Sequence, residues 1–233
     1  MTLKEILIAG KLTISEGGGG GGGYTLDDLF TGQEPSGAIE WKATGNIPTS
    51  GIAGRSAVTS LTIDLTDGYN LSGYAIRDNG GLLTVHLIYP DNSDKTMPAY
   101  SITSNANLTT VVVEGGIKTL DQSGLRGNNK LQVVDIENIS TTIGNNGFYS
   151  TAFDTLIIRN TESIPNLNSI QAFANTKFAS NGAGGVLYVP QALISTYQGA
   201  NNWSTILGYP DNQILPIEGS IYETHYADGS PIS

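Results

Sequence analysis

The sequence predicts a repeat solenoid. It should be mainly β, with a parallel sheet, short irregular or helical return segments and a capping helix near the C-terminus. Three observations carry this. An aliphatic triplet spaced x-L-x-x-L-x-L recurs as Val58/Leu61/Ile63, Leu82/Val85/Leu87, Leu108/Val111/Val113, Leu131/Val134/Ile136 and Phe153/Leu156/Ile158, and Phe178 opens a further unit. The first members lie 24, 26, 23, 22 and 25 residues apart. A second apolar residue (Ile52, Ile76, Ile102, Leu125, Phe148 or Phe173) precedes each triplet by five or six residues. Between the two lie polar or Gly-rich turns such as Arg77-Asp-Asn-Gly-Gly81, Thr103-Ser-Asn-Ala-Asn107 and Arg126-Gly-Asn-Asn-Lys130.

Each feature has a physical reason. The alternating L-x-L is a short strand whose two aliphatic residues face one way. Three to five residues cannot stand alone, but stacked copies make a parallel sheet over a continuous core. The upstream apolar residue anchors the return segment on that core. Asn and Gly take the corners, where left-handed backbone and side-chain-to-backbone hydrogen bonds are needed. A helical array would show apolar residues at i, i+3, i+4 and i+7 over longer windows, and this chain shows few.

Residues 1–16 hold Leu3, Ile6, Leu7, Ile8, Leu12 and Ile14. Sixteen residues cannot build a core alone, and a disordered leader has no use for six large aliphatics. The segment is therefore expected to be a docking peptide that borrows its core from a partner. Residues 17–23 are seven consecutive glycines, a flexible tether with an r.m.s. span of about 15 Å. Residues 24–44 are expected to cap the body, with Asp27 and Asp28 suited to a helix first turn. Residues 45–182 are the repeats, 183–218 a C-terminal capping unit and 219–233 a tail. In the capping unit Pro190 suits a helix start. Leu193 and Tyr197 share one helical face, and Trp203 closes the open end of the core.

The repeat resembles the BspA-like leucine-rich repeat. Ile143-Gly-Asn-Asn-Gly-Phe148 and Ser169-Ile-Gln-Ala-Phe-Ala174 look like its "i-x-x-x-aF" half. Val186-Leu-Tyr-Val-Pro190, Leu193, Tyr197, Asn202-Trp203-Ser204 and Ile214-Leu-Pro-Ile217 are similar to its closing unit. The resemblance covers about residues 45 to 218 and departs from the pattern where Ile or Leu replaces Phe in the first four repeats. It implies a surface antigen or adhesin of bacteria, or a virion protein of bacteriophages and prophages.

Composition narrows the function. Eleven basic against twenty-one acidic side chains leave a net charge of −10, and an acidic chain without a basic cluster is a poor nucleic-acid binder. Polarity comes from 19 Asn, 20 Ser and 24 Thr rather than from charge. With no cysteine, zinc-thiolate sites, iron–sulfur clusters and cysteine nucleophiles are excluded. His86 and His225, 139 residues apart, do not suggest a multi-histidine metal site. The glycine run lacks the Lys and Ser/Thr of a phosphate loop. Neither a nucleophile elbow nor a glycosidase-type carboxylate pair is evident, and Asp91-Asn-Ser-Asp94 lacks the full calcium-loop pattern. No enzymatic activity, catalytic residue, cofactor or metal is expected.

Alternation assigns an outward face to the sheet. Thr84, His86, Ile88, Val112, Glu114, Asp135, Glu137, Ile157 and Arg159 are expected there, exposed, as partner-binding residues. Its apolar members would mark a partner surface.

The apolar run at residues 6–9 is far short of a secretory signal, and no stretch approaches the ~20 apolar residues of a membrane span. Of the roles the resemblance implies, the expected one is therefore a non-enzymatic virion accessory, a head or tail fibre or decoration protein made in the host cytoplasm. It would join other virion proteins through residues 1–16, present its repeats to a host-surface protein or glycan, and assemble as a homo-oligomer, with a trimer favoured. A bacterial cell-surface adhesin is the alternative and a polysaccharide-acting enzyme the third reading.

Overall fold

A computed structural model describes residues 6–8, 11–14, 36–91, 93–149 and 151–232. In chain order the strands are β1 (Ile6–Ile8), β2 (Lys11–Ile14), β3 (Gly37–Lys42), β4 (Ile52–Ala53), β5 (Val58–Asp64), β6 (Ile76–Arg77), β7 (Thr84–Ile88), β8 (Thr96–Met97), β9 (Ile102–Thr103), β10 (Thr110–Leu120), β11 (Val133–Ile143), β12 (Thr155–Ile158), β13 (Asn166–Leu167), β14 (Val186–Val189) and β15 (Gln213–Pro216). The chain winds them into a parallel β-solenoid of about seven turns. The main sheet runs β1-β2-β3-β5-β7-β10-β11-β12-β14-β15, and β4, β6 and β9 form a second, three-stranded sheet on the return side.

Register explains why the triplets recur. Leu61, Val85, Val111, Val134, Leu156 and Leu187 pair across successive strands, and so do Ile63, Leu87, Val113, Ile136 and Ile158. These columns are buried throughout. The six upstream anchors are buried as well, three of them in or beside β4, β6 and β9 and the later three in turns and the short 3₁₀ segment Ile170–Phe173. Phe148, Phe153, Phe173 and Phe178 fill the last turns with ring centroids about 5 to 6 Å apart.

Two of the strands are longer than expected. β10 and β11 each run eleven residues because the pairing continues round a corner through register shifts between Val113 and Thr119. Gly115 sits at that corner with φ +73°, where a Cβ would stand 2.1 Å from the Tyr89 carbonyl oxygen. Past the corner lies a third column: Ile47, Leu71, Met97, Leu120, Ile143 and Leu167, all buried. It is joined by the pairs Ile47–Leu71, Met97–Leu120, Leu120–Ile143 and Ile143–Leu167.

The corners hold a buried ladder of amides. Asn79, Asn105 and Asn128 each stand three residues after an anchor. Asn105 Oδ1 accepts from Asn79 N at 3.1 Å and Nδ2 at 3.0 Å, and Asn105 N donates to Asn128 Oδ1 at 2.9 Å. Asn105 Nδ2 also donates to the Ile76 carbonyl at 3.2 Å, one turn back. In the next two turns Thr151 and Thr176 take the place and donate to the Phe148 and Phe173 carbonyls, both at 2.7 Å. The expectation of polar corner residues thus holds, with the amides bonding between turns as well as within them. Left-handed backbone recurs two residues before the anchors at Ser50, Tyr74, Tyr100, Ser123 and Asn146, with φ between 57° and 59°. Tyr74 and Tyr100 are bulky for that region. Their rings stack at 4.9 Å and 4°, and Arg126 lies 5.8 Å over Tyr100.

The C-terminal cap is as expected. A 3₁₀ turn, Gln191–Leu193, runs into the helix Ile194–Gly199, followed by the helix Trp203–Leu207. Trp203 is buried edge-on against Tyr197 at 5.0 Å and Phe173 at 5.9 Å, and its Nε1 donates to the Pro165 carbonyl at 2.9 Å. Pro190 stands one residue before the 3₁₀ turn rather than inside it. The Tyr197 hydroxyl is buried without a hydrogen-bond partner among the described residues, so the phenol gains nothing for its desolvation. Tyr197→Phe is therefore expected to leave the melting temperature unchanged or raise it. A loss above about 1 kcal/mol in a denaturant titration would show that the hydroxyl is bonded.

At the other end, Lys11–Ile14 pairs in parallel with Ala38–Trp41, and β1 folds back on β2 antiparallel. Within the predicted docking peptide, residues 6–8 and 11–14 are thus the first edge of the main sheet. Leu3, the glycine run 17–23 and residues 24–35 of the predicted cap lie outside the described residues.

Candidate functional site

Strand register decides which residues share the outer face. The row opposite the core columns runs Thr62, His86, Val112, Asp135, Ile157 and Tyr188 across β5, β7, β10, β11, β12 and β14. All nine residues expected to bind a partner lie on or beside this face, as alternation predicted. Their expected exposure is corrected. Val112, Asp135 and Ile157 are 0% exposed, His86 5% and Arg159 9%, and only Thr84, Ile88, Glu114 and Glu137 are partly open.

The cover is the C-terminal tail. After Ser220 the chain turns back across the face and closes a hairpin by the His225–Pro231 bridge, with Tyr226 N donating to the Ser230 carbonyl at 2.8 Å and Ile232 N to the Thr224 carbonyl at 3.2 Å. Gly229, at φ +86°, gives the reversal the backbone it needs. Asp228 at the tip accepts from Ser230 N at 3.0 Å and Oγ at 2.6 Å. The sequence carried one signal for this element, the dipeptide Asp228-Gly229. Nothing in the repeat period pointed to it.

The hairpin is held mainly by polar groups. Asp135 and Arg159 form a buried fork, with Nε to Oδ1 at 2.8 Å and Nη2 to Oδ2 at 2.7 Å. Arg159 then donates to the Tyr222 carbonyl at 2.6 Å and the His225 carbonyl at 3.0 Å, and Asp135 accepts from Ala227 N at 2.9 Å. One level over, Glu137 Oε2 accepts from the Tyr226 hydroxyl and from Gly115 N, both at 2.7 Å. His86 places Nδ1 at 2.8 Å from Asp228 and Nε2 at 3.0 Å from Glu114. Tyr226, the one buried side chain of the hairpin, meets the His86 ring edge-on at 5.5 Å and lies under the Arg159 guanidinium at 5.2 Å. No family model, curated protein or solved structure matches this chain.

Two polar grooves flank the hairpin. One, about 450 Å³, lies between its tip and β3, β5 and β7, and is lined by Glu40, Ser60, Thr62, Thr84, Glu114 and Ser230 among others. The other, about 420 Å³, lies beside the middle of β11 and past the end of β12 and includes Glu137, Asn138, Ser140, Asn160, Thr161 and Glu162. Both present hydroxyls and carboxylates, with amides in the second.

The electrostatics of the cover are readable. Burial pushes the Asp135 carboxyl above its ordinary value, while the Arg159 fork and the Ala227 amide pull the other way. Burial would also raise Asp228, but hydrogen bonds from His86 and Ser230 outweigh it and hold that carboxyl down at about 2. A depressed carboxyl stabilises the folded form above its unfolded value, near 3.9. That contribution is lost as the pH falls through about 2. Protection of the Tyr226, Gly229 and Ile232 amides, taken relative to their intrinsic exchange at each pH, is thus expected to fall between about pH 4 and pH 2. In Asp228→Asn this step should vanish. If the substituted chain kept it, another carboxylate would control the hairpin.

Proposed function

We propose that the protein is a non-enzymatic attachment component of a virion, a head or tail fibre or decoration protein, whose solenoid offers its grooves to a glycan of the host surface. The observation that carries this reading is the pair of grooves beside the hairpin. A row of hydroxyls, amides and carboxylates on a stacked sheet supplies the donors and acceptors that sugar hydroxyls need. Parallel stacking keeps the groups at a fixed rise, and such order lowers the entropic cost of binding. The similarity of the repeats to BspA-like units supports an adhesive role.

Two measurements test it. Mass spectrometry of purified virions and of cell envelopes should find the chain in the virions. The labelled protein should bind host cells, and Thr62→Lys with Thr84→Lys in the first groove should weaken that binding at least tenfold while the melting temperature holds. Binding unchanged by these groove substitutions, and by Ser140→Lys with Thr161→Lys in the second, would overturn the attachment site.

A further inference from the structure

The residues under the hairpin recognise it as a ligand would be recognised. Arg159 reads two of its carbonyls, Asp135 reads its Ala227 amide, and His86 and Glu137 each take one specific side chain. The hairpin adds little to the core. Within residues 218–232 only Tyr226 is buried, and Ile221 is 80% exposed. The core is closed before it by Leu193, Tyr197, Trp203 and Ile206. The buried charges of the face also satisfy each other, because Asp135 and Arg159 pair bidentately. The link between body and hairpin is the short exposed stretch Glu218-Gly219, with Gly219 at φ +79°.

We infer that the outer face from β7 to β14 is a peptide-recognition surface that each chain fills with its own C-terminal hairpin, and that the hairpin of a second copy fits the same place. The match is specific to this chain: an Asp at the turn tip for His86, a Tyr two residues earlier for Glu137, the Ala227 amide between them for Asp135, and the Tyr222 and His225 carbonyls before them for Arg159. Held in cis, the hairpin competes at an effective concentration on the order of millimolar, as for other short links. Copies crowded in one assembly would present hairpins to one another at comparable concentration. This surface lies between the two grooves, so its test does not depend on glycan attachment.

The test uses the full chain with a protease site inserted between Glu218 and Gly219, cut after folding. The probe is a fluorescent synthetic peptide of residues 219–233. The cut chain should keep its melting temperature within a few degrees and take up the probe, and unlabelled peptide should displace it. The uncut chain should bind the probe at least tenfold more weakly, because its own hairpin competes. A probe carrying Tyr226→Ala and Asp228→Ala should also bind at least tenfold more weakly, as should the cut chain with His86→Ala. Three results would overturn the inference: a folded cut chain that takes up no peptide, equal uptake of the doubly substituted probe, or loss of the fold on cutting, which would make the hairpin part of the body.

Discussion

Ile136→Ala is expected to cost roughly 2–5 kcal/mol, as for other large-to-small changes in a packed core. Ile136 is 1% exposed and pairs with Val113 on one side and Ile158 on the other. Removing its outer carbons leaves a void in a column fixed on both sides by backbone pairing, so the site cannot collapse to refill it. For a chain of this length the loss corresponds to a fall in melting temperature of roughly 5–15 °C. Ser140→Ala, exposed on the same strand, should stay within about 0.5 kcal/mol. A loss under about 0.5 kcal/mol at Ile136 would place it off the core face and break the register.

The second large effect is expected at Asn105. Asn105→Ala removes the acceptor of the buried Asn79 amide and a donor to the Ile76 carbonyl in one step. Each buried group left without a partner costs about 1–3 kcal/mol, so a total of about 2–6 kcal/mol is expected in a denaturant titration. The damage should spread to the turns on either side, because Asn105 is bonded to both Asn79 and Asn128. Amide exchange would therefore quicken across three turns rather than one. Asn105→Thr should be milder, since Thr151 and Thr176 already occupy the corresponding corner later in the chain. Exchange confined to a single turn would mean that the amides act separately.

The main-sheet columns and the anchors were legible because each obeys a period that only a stacked structure satisfies. The third column, from Ile47 to Leu167, obeys the same period and was overlooked. Its members stand singly among polar, Gly or Pro neighbours, as in Asn70-Leu71-Ser72 and Asn166-Leu167-Asn168, and so form neither strand alternation nor a triplet. The eleven-residue strands were also missed, because pairing round a corner depends on Gly115 and leaves no run of apolar residues behind it. The outer face was placed correctly and its exposure was not. Alternation says which way a side chain points but not what lies beyond it. The apolar Val112 and Ile157 in that row were the clue to a cover. What covers them comes from about 70 to 110 residues further along, outside any repeat, where sequence spacing carries no information about contact.

The hairpin also has a mechanical meaning. Backbone bonds between turns lie along the stack, so pulling the two ends of the solenoid apart loads them one seam after another, as in opening a zip. The hairpin runs the other way along the stack, from Tyr188 on β14 back to His86 on β7. It ties the intervening seams side by side, and they share the load. Among the described residues its hydrogen bonds to the main sheet reach no further towards the N-terminal end than His86 on β7. Under tension the N-terminal seams should part first and the tied section last, which leaves the solenoid with an extensible end and a stiff one.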